Sequence, residues 1–208
     1  GRVWLAGDAV HQVTPTGGYG MNTGVGDAAG LAWTLAANLQ GWGGPRLLEA
    51  YEAERRAVAL RNREAAARHA LVRAAIMTTD WRDMHSEGWS GDRTRRRLGR
   101  EIVDLGNLEN EALGIELGYR YDDSPVIAAE PGPRPKQQSY AYLSSTVPGV
   151  RPPSVWLADG QAIFDRLGTG FTLLRFTEHD TTALEHAAAI AGVPLDIVDV
   201  RDDHARAL

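Results

Sequence analysis

Eight of the 23 glycines in this 208-residue sequence fall within the first 30 positions, at 1, 7, 17, 18, 20, 24, 26 and 30. Glycine tolerates positive φ and lets a main chain come close to another surface. Backbone geometry therefore governs this stretch more than side chains do. Arg2-Val3-Trp4-Leu5-Ala6 reads as a short, mostly apolar strand ending at Gly7-Asp8. A strand covered on both faces in a parallel sheet has this composition. Thr14 to Gly20 carries turn residues throughout. From about Asn22, the residues Val25, Ala28, Ala32, Leu35 and Leu39 recur at helical spacing, and Gly41, Gly43 and Gly44 stop the helix. The predicted unit is strand, glycine loop, helix.

A long helix is expected from about Pro45 to Met77, where Ala, Glu, Arg and Leu dominate and Pro45 suits a first turn. A further helix is expected over about Asp92 to Leu113, with Leu98, Ile102, Leu105 and Leu108 on one side. Residues 122–153 change character. Pro125, Pro131, Pro133, Pro135, Pro148, Pro152 and Pro153 make an extended linker. Beyond it, strands are expected at Val155-Trp156-Leu157, Phe171 to Phe176 and Leu195 to Val200. Thr181 to Ala191 reads as a helix, with Asp180 as N-cap and Gly192 as its stop. Alternation of strand and helix predicts a small α/β layer. The domain reading is 1–121, a linker at 122–153, and 154–208. Neither segment reads as complete, which points to an internal portion of a longer protein.

Composition narrows the function classes. The chain has no cysteine, which excludes disulfides, thiolate nucleophiles and zinc–thiolate sites. The six histidines are scattered without metal-ligand spacing, so no metal site is expected. The formal net charge of −5 argues against a nucleic-acid partner. Arg93, Arg95, Arg96, Arg97 and Arg100 form a basic cluster, but acidic residues follow it and aromatics are not interleaved, so it reads as a solvated helix face. No run of about 18 apolar residues is present to cross a membrane.

The chemistry lies in Gly7-Asp8-Ala9-Val10-His11 and Pro15-Thr16-Gly17-Gly18-Tyr19-Gly20-Met21-Asn22. The helix after the loop points free N–H groups and partial positive charge at whatever the loop holds. A carboxylate at the end of the strand, here Asp8, can accept hydrogen bonds from polyol hydroxyls. A flavin, with an electron-accepting ring and a hydroxylated chain, suits both features. Spacing alone leaves two readings open, a ligand loop or a plain tight connection. Neither GxGxxG followed by its helix nor GxxxxGK[ST] is present.

Val3-Trp4-Leu5-Ala6-Gly7-Asp8-Ala9-Val10-His11, then Pro15-x-Gly-Gly-x-Gly-Met-Asn-x-Gly and Asp27-Ala28-x-x-Leu31-Ala32-Trp33-x-Leu35-Ala36, closely resemble the second flavin-binding motif of single-component aromatic monooxygenases of the para-hydroxybenzoate hydroxylase type. Tyr51-x-x-Glu54-Arg55-Arg56 is also similar to that family, and Gly118-Tyr119-Arg120-Tyr121 resembles its phenol and aromatic polyketide hydroxylase subgroup. Residues from Val155 to Leu174 are similar to the subgroup's C-terminal thioredoxin-like domain, which without cysteine can do no thiol chemistry here.

The resemblance implies an α/β fold: the C-terminal part of a glutathione-reductase-like FAD-binding domain with long helices, then an incomplete thioredoxin-like domain. It implies FAD as cofactor, NADPH or NADH as reductant, and a small phenolic or polycyclic aromatic substrate hydroxylated through a C4a-hydroperoxyflavin. By position in the motif, Asp8, next to Gly7, would bond the ribityl chain. The N–H groups around Gly20, Met21 and Asn22, after Gly18, would face the electron-accepting side of the flavin. Pro15 would form a dry wall beside the ring. No catalytic residue is assigned. The resemblance further implies a missing N-terminal FAD and substrate portion, a cytoplasmic location and a homodimer as one assembly. His11 and Asp27 read as structural, Trp33 as helix packing, and Tyr19 as a candidate to face flavin or substrate. Two alternatives accompany this reading: a vestigial, non-catalytic module that self-associates through the thioredoxin-like segment, and a flavin dehydrogenase or halogenase.

Overall fold

A computed structural model describes residues 3–106 and 109–206. The element order is α1 (Tyr19–Leu39), α2 (Leu47–Thr78), α3 (Gly88–Leu105), α4 (Leu113–Leu117), β1 (Phe171–Arg175), α5 (Thr182–Ala191), β2 (Leu195–Asp199) and α6 (Asp203–Arg206), with short 3-10 turns at Gly7–Ala9 and Ile163–Arg166. The described residues form two units, one within 1–29, 55–119 and 135–143, the other within 30–54, 120–134 and 144–208.

In the first unit, α2 supplies the seat for the N-terminal loop. Its 32 residues span about 48 Å. From Arg55 onward its buried residues are Arg55, Val58, Ala59, Asn62, Ala65, Ala66 and His69, a single face repeating at three and four positions. The face is mostly small, so neighbouring backbone can lie close against it. Tyr19, Ala65, Ala66, Ala112 and Ile115 form the core, with Val13 packed on it. The start of α4 is pinned by Arg61, which donates to the carbonyls of Gly114 and Ile115. Gly114 can carry no side chain, because a Cβ there would collide with the carbonyl oxygens of Gln138 and Ala141.

The second unit holds a parallel pair, β1 and β2, with Phe171 opposite Leu195 and Arg175 opposite Asp199. Parallel strands require a crossover, and α5 provides it. Asp180 Oδ1 accepts the Thr182 amide at 2.9 Å at the start of α5. Gly192, at φ 66°, closes its other end with its N–H on Ala188 and Ala189. Val155, Leu157, Ile163, Val200 and Ala205 form this unit's core. Trp33 packs edge-on against Trp42 and Phe171, at 5.5 and 5.7 Å, and donates its indole N–H to the Thr169 carbonyl at 3.1 Å.

Several boundaries differ from expectation. Residues 3–6 are not a strand: Ala6 is extended, but no neighbouring strand among the described residues pairs with it. Arg2 lies outside the described residues. Helix α1 starts at Tyr19 rather than Asn22, because the Asn22 and Thr23 side chains bond back to the Gly18 and Tyr19 carbonyls and secure a first turn that its glycines disfavour. The helix expected over 92–113 runs instead over Gly88–Leu105. It stops where Gly106, at φ 80°, turns its N–H onto Ile102 and Val103. On its expected apolar side Leu98 is buried and Ile102 is exposed, while Leu108 and the Leu105 side chain lie outside the described residues. Val155-Trp156-Leu157 makes only a bridge, Trp156 with Ala162, since the chain reverses through Ala158–Gly160 before a ladder can grow. No helix or strand occurs in 122–153.

Val200 is 1% exposed in the second core and Ile190 is 75% exposed on α5. Val200→Ala should lower unfolding free energy by about 1–3 kcal/mol. Ile190→Ala should change it by less than about 0.5 kcal/mol. Urea denaturation of the two variants checks both.

Candidate cofactor site

The site is built around Asp27, on α1 and 1% exposed. Its Oδ2 accepts the Gly7 amide at 3.0 Å and meets His11 Nε2 at 2.5 Å, while Oδ1 accepts Arg55 Nε at 2.8 Å. One carboxylate thus ties the end of the N-terminal segment, the following turn and α2 together. Burial alone would raise the Asp27 carboxyl. The bonds from Arg55, His11 and Gly7 more than offset it and hold the group below the usual carboxylate range. Arg55 reaches further, donating from Nη2 to the Thr23 carbonyl at 3.2 Å. Gly26 leaves room for it, since a Cβ there would lie 2.7 Å from Arg55 Nη2. One heptad along α2, Asn62 donates to Thr23 Oγ1 at 2.8 Å. Another turn on, the Ala66 carbonyl accepts Thr16 Oγ1 at 2.8 Å.

These supports fix the positions expected to hold a ligand. Gly7 opens the 3-10 turn at φ 59° and lies against Gly24 of α1, whose Cβ would come 3.4 Å from the Gly7 Cα. That contact brings the Gly7–Asp8 turn beside the first turns of α1. Asp8 is exposed, and no hydrogen bond is made by its carboxylate among the described residues. Gly17 and Gly18 are consecutive at φ 67° and 71°, a pair of left-handed residues that delivers the chain into α1. Gly20, Met21 and Asn22 form the first turn of α1, where helix geometry leaves amides without intrahelical partners. A Cβ on Gly20 would meet nothing within 4 Å, and Met21 is 77% exposed. Pro15 and Gly18 are exposed too. Asn22 turns its side chain onto the Gly18 carbonyl at 2.8 Å and so braces the loop.

Residues 1–66 match the family model described as FAD binding domain. The chain is 38% identical over 180 residues to the FAD-dependent monooxygenase opdD of Penicillium oxalicum, covering 85% of this chain and 34% of that protein. It is 33% identical over 193 residues to phenol 2-monooxygenase of a Pseudomonas species, covering 83% of this chain and 32% of that protein. Among solved structures, the rebeccamycin biosynthetic enzyme RebC with reduced flavin superposes with a TM-score of 0.88 at 38% identity, over 100% of this chain and 39% of that one. Over most of its length the chain is similar to FAD-dependent monooxygenases, and its first 66 residues match the FAD binding domain. It spans about a third of the length of the relatives it matches.

The residues least visible in the sequence are the supports. Tyr19 does not face the loop's open side: it is 4% exposed and sits in the core. Thr16, Asn62 and His69 carry no motif that marks them as supports, although Arg55, Asn62 and His69 stand seven residues apart in an alanine-rich helix. That repeat of polar residues was the available signal. Three of the five arginines of α3 serve the chain itself. Arg95 donates to the Met84 and Ser86 carbonyls, Arg97 to the Asp80 carbonyl, and Arg93 lies over the Trp89 ring. No cluster of three or more His, Asp or Glu able to hold a metal occurs among the described residues, and none of their helices is long and apolar enough to cross a membrane.

Asp27→Asn leaves Arg55 buried beside a neutral partner and should lower stability at neutral pH by about 3–5 kcal/mol. A carboxyl lowered in the folded protein contributes stability that is present above its unfolded value of 3.8 and lost as pH falls below it. Urea titrations at neutral and acid pH should therefore show a smaller acid loss in the variant than in the parent.

Proposed function

We propose that this chain forms the isoalloxazine side of the FAD site in a monooxygenase that hydroxylates a phenolic or polycyclic aromatic ring with NADPH or NADH and dioxygen. The observation that carries the reading is the Asp27 anchor. By holding Gly7 it leaves the exposed Asp8 carboxylate without a hydrogen-bond partner among the described residues, beside the N-terminal turns of α1. Those are the two kinds of group a flavin needs, an acceptor for ribityl hydroxyls and amides for the electron-rich edge of the ring. The open side of Gly20 leaves space for a flat ring, so the residues present fit the cofactor.

In this reading Asp8, beside Gly7, binds the ribityl chain. The amides around Gly20, Met21 and Asn22 orient the ring and stabilise negative charge on it without a lysine. Pro15 and Gly18 shape an apolar edge that excludes water. Bound FAD supplies the redox and oxygen chemistry, while the protein supplies position and electrostatics. The adenine half of FAD and most substrate contacts belong to the remaining length of an enzyme of the relatives' size. The unit β1–α5–β2, with no cysteine anywhere in the chain, serves as part of a thioredoxin-like domain in a structural role. Domain limits of 1–121 and 154–208 around a linker, and a homodimer as assembly, go with this reading.

Asp8→Ala in the protein that contains this chain should weaken FAD binding about 10- to 100-fold, the loss expected for hydrogen bonds to a charged group. Flavin fluorescence titration of cofactor-depleted protein measures it. An unchanged affinity would remove Asp8 from the site.

A further inference from the structure

Beneath the glycine loop lie two buried polar side chains that the bonding described above does not use. Tyr19 is 4% exposed and His69 is 2% exposed, with ring centroids 5.7 Å apart. Neither the Tyr19 hydroxyl nor either ring nitrogen of His69 has a hydrogen-bond partner among the described residues. Leaving such a group buried and unpaired costs about 1–3 kcal/mol, so an apolar side chain of similar size would fill the space more cheaply. The two rings also carry the backbone. A Cβ on Gly17 would lie 2.9 Å from His69 Nδ1 and 2.6 Å from Tyr19 Cε2, so the Gly17 Cα rests directly on them. From the other side the Gly17 amide donates to Glu109 Oε1 at 3.3 Å, and Arg73, one turn beyond His69, holds Glu109 in a two-bond pair.

We propose that His69 is a positioning residue for the flavin-side loop: as a neutral imidazole, acting through Gly17, it seats Gly17–Gly18, and protonation unseats the loop and loosens the cofactor. The effect on the cofactor rests on the proposed function; the coupling of His69 to the loop does not. The charges around the ring make its protonated form a poor fit. Burial disfavours the imidazolium, Glu109 favours it, and Arg73 and Arg68 on the same helix disfavour it, so that the group sits below its ordinary value. From α1 the ring faces Tyr19, whose hydroxyl burial keeps neutral, with Glu116 and Glu109 adding to that effect and Arg61 opposing it. Glu109 is already engaged by Arg73. A histidine lowered in the seated state stays neutral there while the unseated state takes up a proton at its ordinary value of 6.5. Seating is therefore most favoured above that pH and weakens as pH falls below it.

Hydrogen exchange read by mass spectrometry on peptides covering 14–22 tests the coupling in the purified protein that contains this chain. Protection factors, corrected for intrinsic exchange, would be taken from about pH 8 to about pH 5.5, across the ordinary histidine range. The parent should lose protection in this segment by up to about tenfold per pH unit below the ordinary histidine value. His69→Leu, similar in size and unable to titrate, should keep the segment's protection level across the range. Should that variant fail to fold, His69→Gln makes the same comparison. Protection that is flat in the parent, or that falls equally in parent and variant, overturns the proposal. Flavin retained after dialysis at the same pH values gives a second readout. Loss of FAD below that pH in the parent but not in the variant supports the full proposal. A parent that holds no FAD at any pH counts against the flavin reading alone, while the exchange result still decides the role of His69.

Discussion

Everything in the N-terminal unit that bears on a ligand depends on a buried ion pair, Asp27 with Arg55. Taking both charges out of water is costly, and such a pair is favourable only when its remaining hydrogen-bonding capacity is also met. Here it is. Both Asp27 oxygens are occupied, and Arg55 continues to the Thr23 carbonyl. The pair is better understood as a device for specifying geometry than as a source of stability. A hydrophobic replacement could fill the space, but it could not hold the Gly7 amide and the His11 ring to the same point.

The second lesson of the site is a division of labour. Most residues expected to meet a flavin are exposed, with Gly7 and Gly20 half-buried, while the residues that fix them are buried one layer behind. Thr16, Thr23, Asn62 and Ala66 supply a chain of hydrogen bonds from α2 to the loop and to α1. A loop rich in glycine has high conformational freedom in isolation. It becomes a defined surface because its neighbours leave it no alternative path.

How far the sequence reveals this differs by residue. The glycine loop, the helix after it and the β1–α5–β2 alternation are legible because each rests on local signals: turn residues, apolar spacing and the stop at Gly192, although the N-cap of α5 is Thr181 and not Asp180. The strand expected at 2–6 is not found over 3–6, since a strand is defined by its neighbour and no local pattern can supply one. Tyr19 could not be assigned from its place in the loop, because whether it turns inward depends on Ala65 and Ala66, nearly fifty residues later. Arg55 stood within a recognisable motif, yet its partner was hidden. Asp27 and Arg55 are 28 positions apart on different helices, and only tertiary packing joins them.

The face of α2 also limits how this segment can change in length. Arg55, Asn62, Ala66 and His69 all look toward the loop because they keep to one helical phase. Inserting or deleting a single residue between Arg55 and Asn62 would turn everything downstream by about 100° about the helix axis. Asn62, Ala66 and His69 would swing away together while Arg55 stayed behind. Individual positions on the solvent side of α2 can vary freely in chemistry, but the count of residues between its supports cannot, which makes this helix a ruler as much as a wall.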